Sequence, residues 1–217
     1  AGRLVRVETD ENFLPDVGRI AAAITPRTRA IILNTPNNPT GRIYPADILR
    51  ELDAMLARLD HEVLVISDEP YKHLVFDGGR QPEVSSLIRN TVVCNSWSKS
   101  QALPGERIGY LALSPLLNGR PALRGACAFT NRILGFINAP AIWQLVEAEA
   151  LDAVVDVSGY ERKRDLLCDE LARIGYEALQ RGERVVIPGA VNKIMTFTRR
   201  MIPVALQAKA NKKMYEQ

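Results

Sequence analysis

Four short, unbroken runs of apolar residues punctuate this chain: Ala30-Ile31-Ile32-Leu33, Val63-Leu64-Val65-Ile66, Thr91-Val92-Val93-Cys94 and Ile108-Gly109-Tyr110-Leu111-Ala112-Leu113. Each has the length and content of a buried strand. Because the runs are continuous rather than alternating, they predict a sheet covered on both faces. Between the first two, Pro45 opens a helical pattern whose apolar residues are Ile48, Leu49, Leu52, Met55, Leu56 and Leu59. A strand, a helix and a strand in that order predict a right-handed parallel crossover. The expected class is therefore α/β, with a mostly parallel sheet. No run of eighteen apolar residues occurs, which excludes a conventional membrane span.

The 217 residues suffice for one full domain or two small ones, and 47% hydrophobic with 24% charged residues argues against wholesale disorder. Residues 139–155 carry an alanine-rich helical pattern. Ser158-Gly159-Tyr160-Glu161 reads as a capping box, and the helix it opens is expected to pack Leu166, Leu167, Leu171 and Ile174 inward and stop at Gly175. A strand-like run from Val185 ends at Pro188-Gly189, and a basic helical stretch broken by Pro203 follows. The charge is uneven. Residues 1–177 hold 20 Lys+Arg against 23 Asp+Glu, whereas residues 178–217 hold 8 against 2. Such a break marks the last forty residues as a different, basic segment. The main body has no nucleic-acid signature. Three widely spaced cysteines, Cys94, Cys127 and Cys168, form no disulfide framework or metal spacing and suit a reducing compartment. With His61 and His73 as the two histidines, no histidine-rich metal site is expected. A start at Ala1 suggests a sequence that lacks its beginning.

Three polar stretches follow the first three strands, at the end of an open α/β sheet where ligands bind. They are Asn34-Thr35-Pro36-Asn37-Asn38-Pro39-Thr40-Gly41, Ser67-Asp68-Glu69-Pro70-Tyr71 and Ser96-Trp97-Ser98-Lys99, the last continued by Pro104-Gly105-Glu106-Arg107-Ile108-Gly109. Singly, each has an ordinary explanation as a turn, a helix cap or a solvated lysine. Together they converge on one pocket.

In these stretches the sequence resembles the class I/II aminotransferases, the fold-type-I enzymes dependent on pyridoxal 5'-phosphate. The attachment motif of that family, Ser-x-Ser/Ala-Lys with an arginine eight residues after the lysine and then an aliphatic residue and glycine, stands here as Ser96 to Gly109. Trp97 is bulkier than the residue usual at its place. The Asn-Pro-Thr-Gly and Asp-x-x-Tyr motifs precede it in the family's order, and the resemblance covers residues 1 to about 177. It implies that Lys99 forms the Schiff base with the cofactor and then moves a proton, as the catalytic residue. Asp68 would pair with the pyridinium nitrogen, and Asn38 and Tyr71 would bond the phenolate oxygen. Ser96 and Arg107, joined by Ser98, would hold the phosphate. Glu69 and Lys72 are left as structural or solvent-facing.

The resemblance further implies an incomplete three-layer large domain over residues 1–120, helices leading to the small domain over 121–177, and an unrelated basic helical tail over 178–217. In the tail, Arg184-Val185-Val186-Ile187-Pro188-Gly189, Asn192-Lys193 and Arg199-Arg200-Met201-Ile202-Pro203 are similar to the end of a short-chain dehydrogenase, without its Tyr-x-x-x-Lys pair. The function implied is transfer of an amino group between an L-amino acid and a 2-oxo acid, in a cytoplasmic homodimer, with neither metal nor nucleic acid. The parts that stack the cofactor ring and clamp the substrate carboxylate lie outside these residues, so the chain alone is expected to be inactive. Two rivals share the motifs: a related lyase, and a transcription regulator whose aminotransferase-like domain senses the cofactor.

Overall fold

The computed structural model describes residues 2–151, 153, 155–183, 185–190, 192–194 and 197. The chain divides into two compact units, Ala1–Val157 and Ser158–Gln217.

The first unit is built on a four-stranded sheet in the order β1-β2-β3-β4, with β1 Ala30–Asn34, β2 Leu64–Asp68, β3 Thr91–Ser96 and β4 Gly109–Leu113. The first three strands run parallel, and β4 returns antiparallel to β3. All four apolar runs are thus strands, as the sequence predicts, and the crossover from β1 to β2 passes through a helix. That helix, α2 (Ala46–Leu56), begins after Pro45 and buries Leu49 and Leu52. Ahead of β1, α1 (Val17–Ala23) is capped by Asp16, whose Oδ1 accepts from the Arg19 N–H at 2.9 Å. The short α3 (Val84–Leu87) precedes β3. Val17, Ile20, Leu33, Leu52, Val65 and Val84 form the centre of one core. Truncating a buried leucine such as Leu52 to alanine costs about 2–5 kcal/mol.

Register decides which face meets that core. Ile31 stands beside Val65, and Leu33 beside Ser67 and Val93, so these side chains share the covered face. The opposite face differs from the sequence expectation. Its central Val92 is buried, but Ile32 in β1 and Leu111 in β4 are 64% and 54% exposed. The helices that make the core, α1, α2 and α3, pack on one side only, so the flanking strands remain open on the other. Past β3 come α4 (Trp97–Ser100), a 3-10 turn (Pro104–Glu106), and, after β4, α5 (Arg120–Ile133) and α6 (Ala141–Glu149).

The second unit is led by α7, Ser158–Gln180. Here the structure corrects two expectations. The helix does not stop at Gly175, and Leu166, Leu167 and Leu171 are exposed rather than packed inward. Arg173 donates to both Glu170 and Glu177 at 2.6 Å, pairs one turn apart that bracket Gly175 and support the helix across it. The chain turns instead at Gly182, whose φ of +70° suits glycine. Residues 185–188, expected as a strand, are irregular. The stretch around Arg199, Arg200 and Pro203 lies outside the described residues.

Candidate functional site

Parallel pairing of β1, β2 and β3 sets Asn34, Asp68 and Cys94 side by side, so the three polar stretches leave the sheet at the same edge. Residues 34–44 form a loop that holds itself. The Thr35 Oγ1, fully buried, accepts from the Tyr44 N–H at 3.0 Å. The Asn37 N–H donates to the Arg42 carbonyl at 2.8 Å, and the Thr40 hydroxyl donates to Asn37 Oδ1 at 2.8 Å. Gly41 closes the turn at a φ of +70°, a conformation that other residues adopt only under strain. Burial raises the Tyr44 hydroxyl pKa, and the Asn37 side chain opposes the shift.

Within this frame Asn38 Nδ2 donates to the Tyr71 hydroxyl at 3.3 Å. The Lys99 ammonium lies over the Tyr71 ring, 6.0 Å from its centroid, at the outer limit of a cation–π contact. Asp68 joins them through a residue to which the sequence analysis gave no role. Asn34 Nδ2 donates to the Asp68 carbonyl at 3.0 Å and reaches Asp68 Oδ2 at 3.3 Å, while Asn34 Oδ1 accepts the Asn38 N–H at 2.8 Å. Asn34 therefore ties β2 to the loop that carries Asn38. The signal for it was its place at the end of β1, in register with Asp68. Burial raises the Asp68 carboxyl pKa, and no cation pairs with it among the described residues.

Glu69 and Lys72 prove to be structural. Glu69 is fully buried, accepts from the Ser67 hydroxyl at 2.7 Å, and has Lys72 Nζ 3.4 Å from its other oxygen. The same ammonium donates to Glu83 at 2.6 Å. Desolvation would raise Glu83, but Lys72 outweighs it and holds that carboxyl below its usual range. Lys72 in turn is raised: burial would lower it, and its two carboxylates prevail.

Ser96, Ser98 and Arg107 are brought less close. Ser96 precedes α4 and pairs with Gly109 across β3 and β4, which returns the Arg107 turn toward it. A Cβ on Gly109 would stand 2.6 Å from the Asn95 carbonyl oxygen, so only glycine allows the strands this approach. Arg107 is exposed, in the left-handed region at a φ of +52°, and its Nη1 donates to the Pro104 carbonyl at 3.0 Å. The three side chains make no mutual contact among the described hydrogen bonds.

The donor set fits pyridoxal phosphate at its ring. A primary amine beside a phenol and an amide matches an aldehyde flanked by a phenolate oxygen. A half-buried carboxylate without a cation matches a protonated ring nitrogen.

Comparison with known proteins gives the relatives of the chain. The family described as aminotransferase class I and II matches residues 1–202. The match runs past residue 177 into the tail. Aspartate/prephenate aminotransferase from Thermus thermophilus is 36% identical over 187 residues, 82% of this chain and 47% of that protein. Aromatic-amino-acid aminotransferase 2 from Thermococcus litoralis is 33% identical over 180 residues, 80% of this chain and 46% of the relative. An amino transferase from Eubacterium rectale superposes with a TM-score of 0.74 at 37% identity, over 80% of this chain and 45% of that one. The chain spans about half the length of the curated relatives it matches.

Proposed function

Because the chain belongs to the class I and II aminotransferase family, we propose that it is the cofactor-binding part of an enzyme that transfers an amino group between an L-amino acid and a 2-oxo acid. Bound pyridoxal 5'-phosphate supplies a ring that takes up the electron pair left at the substrate Cα. In this reading Lys99 is the catalytic residue: its Nζ would hold the cofactor at the aldehyde carbon, and when released would move a proton at the reacting carbon. Asp68 faces the ring nitrogen, where each pKa unit that it adds is worth about 1.4 kcal/mol. Its burial favours a cationic N–H as partner, since an unpaired carboxylate there is costly. Asn38 and Tyr71 bond the phenolate oxygen, with Asn34 fixing Asn38 and Asp68 in one frame. Ser96, Ser98 and Arg107 hold the phosphate, which requires the Arg107 guanidinium to leave the Pro104 carbonyl.

Residues 1–120 act here as part of the large domain, and 121–177 as the helices leading to the small one. The relatives and structural neighbour named above are aminotransferases, which favours this reading over the lyase and the regulator. A homodimer and a cytoplasmic location accompany the family resemblance, and free Cys94, Cys127 and Cys168 suit a reducing compartment.

The observation that carries the proposal is the meeting of Asn38, Tyr71 and Lys99 from three separate stretches. Borohydride reduction with pyridoxal phosphate, followed by peptide mapping, tests it. The adduct is expected on Lys99, and label on Lys72 or Lys163 instead would overturn the assignment.

A further inference from the structure

Trp97, the residue that departs from the family's motif, lines a cavity of about 380 Å³. That volume lies within the range of small-molecule sites. The Trp97 ring rests against Tyr110, with centroids 5.2 Å apart, so the indole forms a fixed wall. Glu147 of α6 also lines the cavity, only 3% exposed, and neither of its carboxylate oxygens has a hydrogen-bond partner of good geometry. Burial raises its pKa, and the Gln101 side chain opposes this only in part.

Three side-chain amides, Asn131, Asn138 and Gln144, also line the cavity. Asn131 Nδ2 donates to the Ile137 carbonyl at 3.3 Å, and Gln144 Nε2 donates to the Ala139 carbonyl at 2.7 Å. One N–H of each of these two amides is thus engaged with the loop before α6. Among the described residues no lysine, arginine or histidine lines the cavity. A buried carboxylate without a counter-ion is strongly unfavourable, and no cationic side chain among the described lining residues relieves it. The missing partner is a cation that carries N–H donors, and the flat face of Trp97 is the surface an ammonium with an apolar body prefers.

We propose that this cavity is a binding site for a small organic ammonium, with Glu147 as its counter-ion and Trp97 as its aromatic wall. The site is separate from the cofactor reading, for Lys99 does not line it.

The test needs no cofactor, so its failure would leave the Lys99 assignment untouched. Benzylammonium is titrated into the 217-residue chain while the indole resonances of Trp97 and Trp143 are followed by NMR. Saturable shifts, larger at Trp97 than at Trp143, are expected, with benzyl alcohol, the neutral isostere, binding at least about tenfold more weakly. Glu147→Gln should weaken benzylammonium by a similar factor and leave benzyl alcohol unchanged. Equal binding of the two ligands by the unaltered chain would overturn the proposal, whether or not the variant folds. So would absence of any shift at Trp97. Shifts that occur only as the chain ceases to self-associate would also overturn it, and would assign the cavity to a side chain of a second copy.

Discussion

Replacing Lys72 by methionine separates the structural role of the Asp68–Lys72 turn from its chemistry. Lys72 Nζ lies 2.6 Å from Glu83 and 3.4 Å from Glu69, and Glu69 is wholly buried. At 3.4 Å, and an effective dielectric constant of about 20, the attraction to Glu69 is about 5 kcal/mol before desolvation is charged against it. Losing one member of a buried pair costs about 3–5 kcal/mol. The lower end applies, because the Ser67 hydroxyl still serves Glu69 and Glu83 is half in water. The expected loss is therefore about 3 kcal/mol near neutral pH. It should shrink on acidification, from both sides. In the variant, Glu69, already raised by burial, rises further. A carboxyl whose folded pKa exceeds its unfolded one binds its proton more tightly when folded, so stability falls as pH climbs between the two values. In the unaltered chain Glu83 is lowered by Lys72, so its contribution is present above the unfolded pKa and lost as pH falls through the folded one. Urea unfolding at about pH 7.5 and about pH 4 reads the difference, and adding Glu69→Gln to Lys72→Met should restore most of the stability at the higher pH. A loss that is equal at the two pH values, or that the second substitution fails to relieve, would refute the account.

Asp68→Ala should weaken retention of pyridoxal phosphate about 10- to 100-fold, the equivalent of a charge-assisted hydrogen bond of about 1.5–3 kcal/mol. Equilibrium dialysis measures it, and unchanged affinity would make Asp68 a mere strand end. Gly109→Ala drives a Cβ to 2.6 Å from the Asn95 carbonyl oxygen, so about 1–3 kcal/mol of strain and a Tm lower by several degrees are expected. An unaltered Tm would mean that β4 does not sit against β3 at this point. With cofactor and glutamate or alanine supplied, this chain alone should form almost no pyridoxamine phosphate, because clamping the substrate in line provides about 7–11 kcal/mol of the barrier lowering. Conversion at the rate of a full-length relative, followed by absorbance, would show that residues 1–217 already carry the clamp.

Much of the frame was legible because the strands are continuous apolar runs and Pro45 marks the crossover helix. The three loops were legible because polar residues directly follow those runs. What stayed hidden depends on geometry between distant residues. Glu69 directly follows Asp68, and the sequence leaves open whether it is structural or solvent-facing; only the structure shows it folded back onto Ser67. Asn34 acquires its role through Asp68, 34 positions away. The pattern of Leu166, Leu167 and Leu171 identifies an apolar face on α7 but not what that face meets, and all three are exposed. Gly175 reads as a stop because intrinsic propensity disfavours it, whereas local ion pairs around Arg173 carry the helix through.

The alternation of β2 explains how one turn serves both the core and the candidate site. Side chains along a strand point to opposite faces in turn, so Ser67 and Glu69 enter the covered face, where they bond each other. Asp68, between them, emerges on the other face beside Asn34 and remains half-buried. Lys72 then comes up beneath Glu69, and the turn it secures holds the Tyr71 hydroxyl within reach of Asn38. Two acidic residues adjacent in sequence thus receive opposite duties from the pleat alone. A slip of one residue in the pairing of β2 would exchange them, burying Asp68 against the core and lifting Glu69 into the site. The fully buried Val65 and Ser67 oppose that slip, because it would turn Val65 outward and leave the Ser67–Glu69 pair without its place in the core.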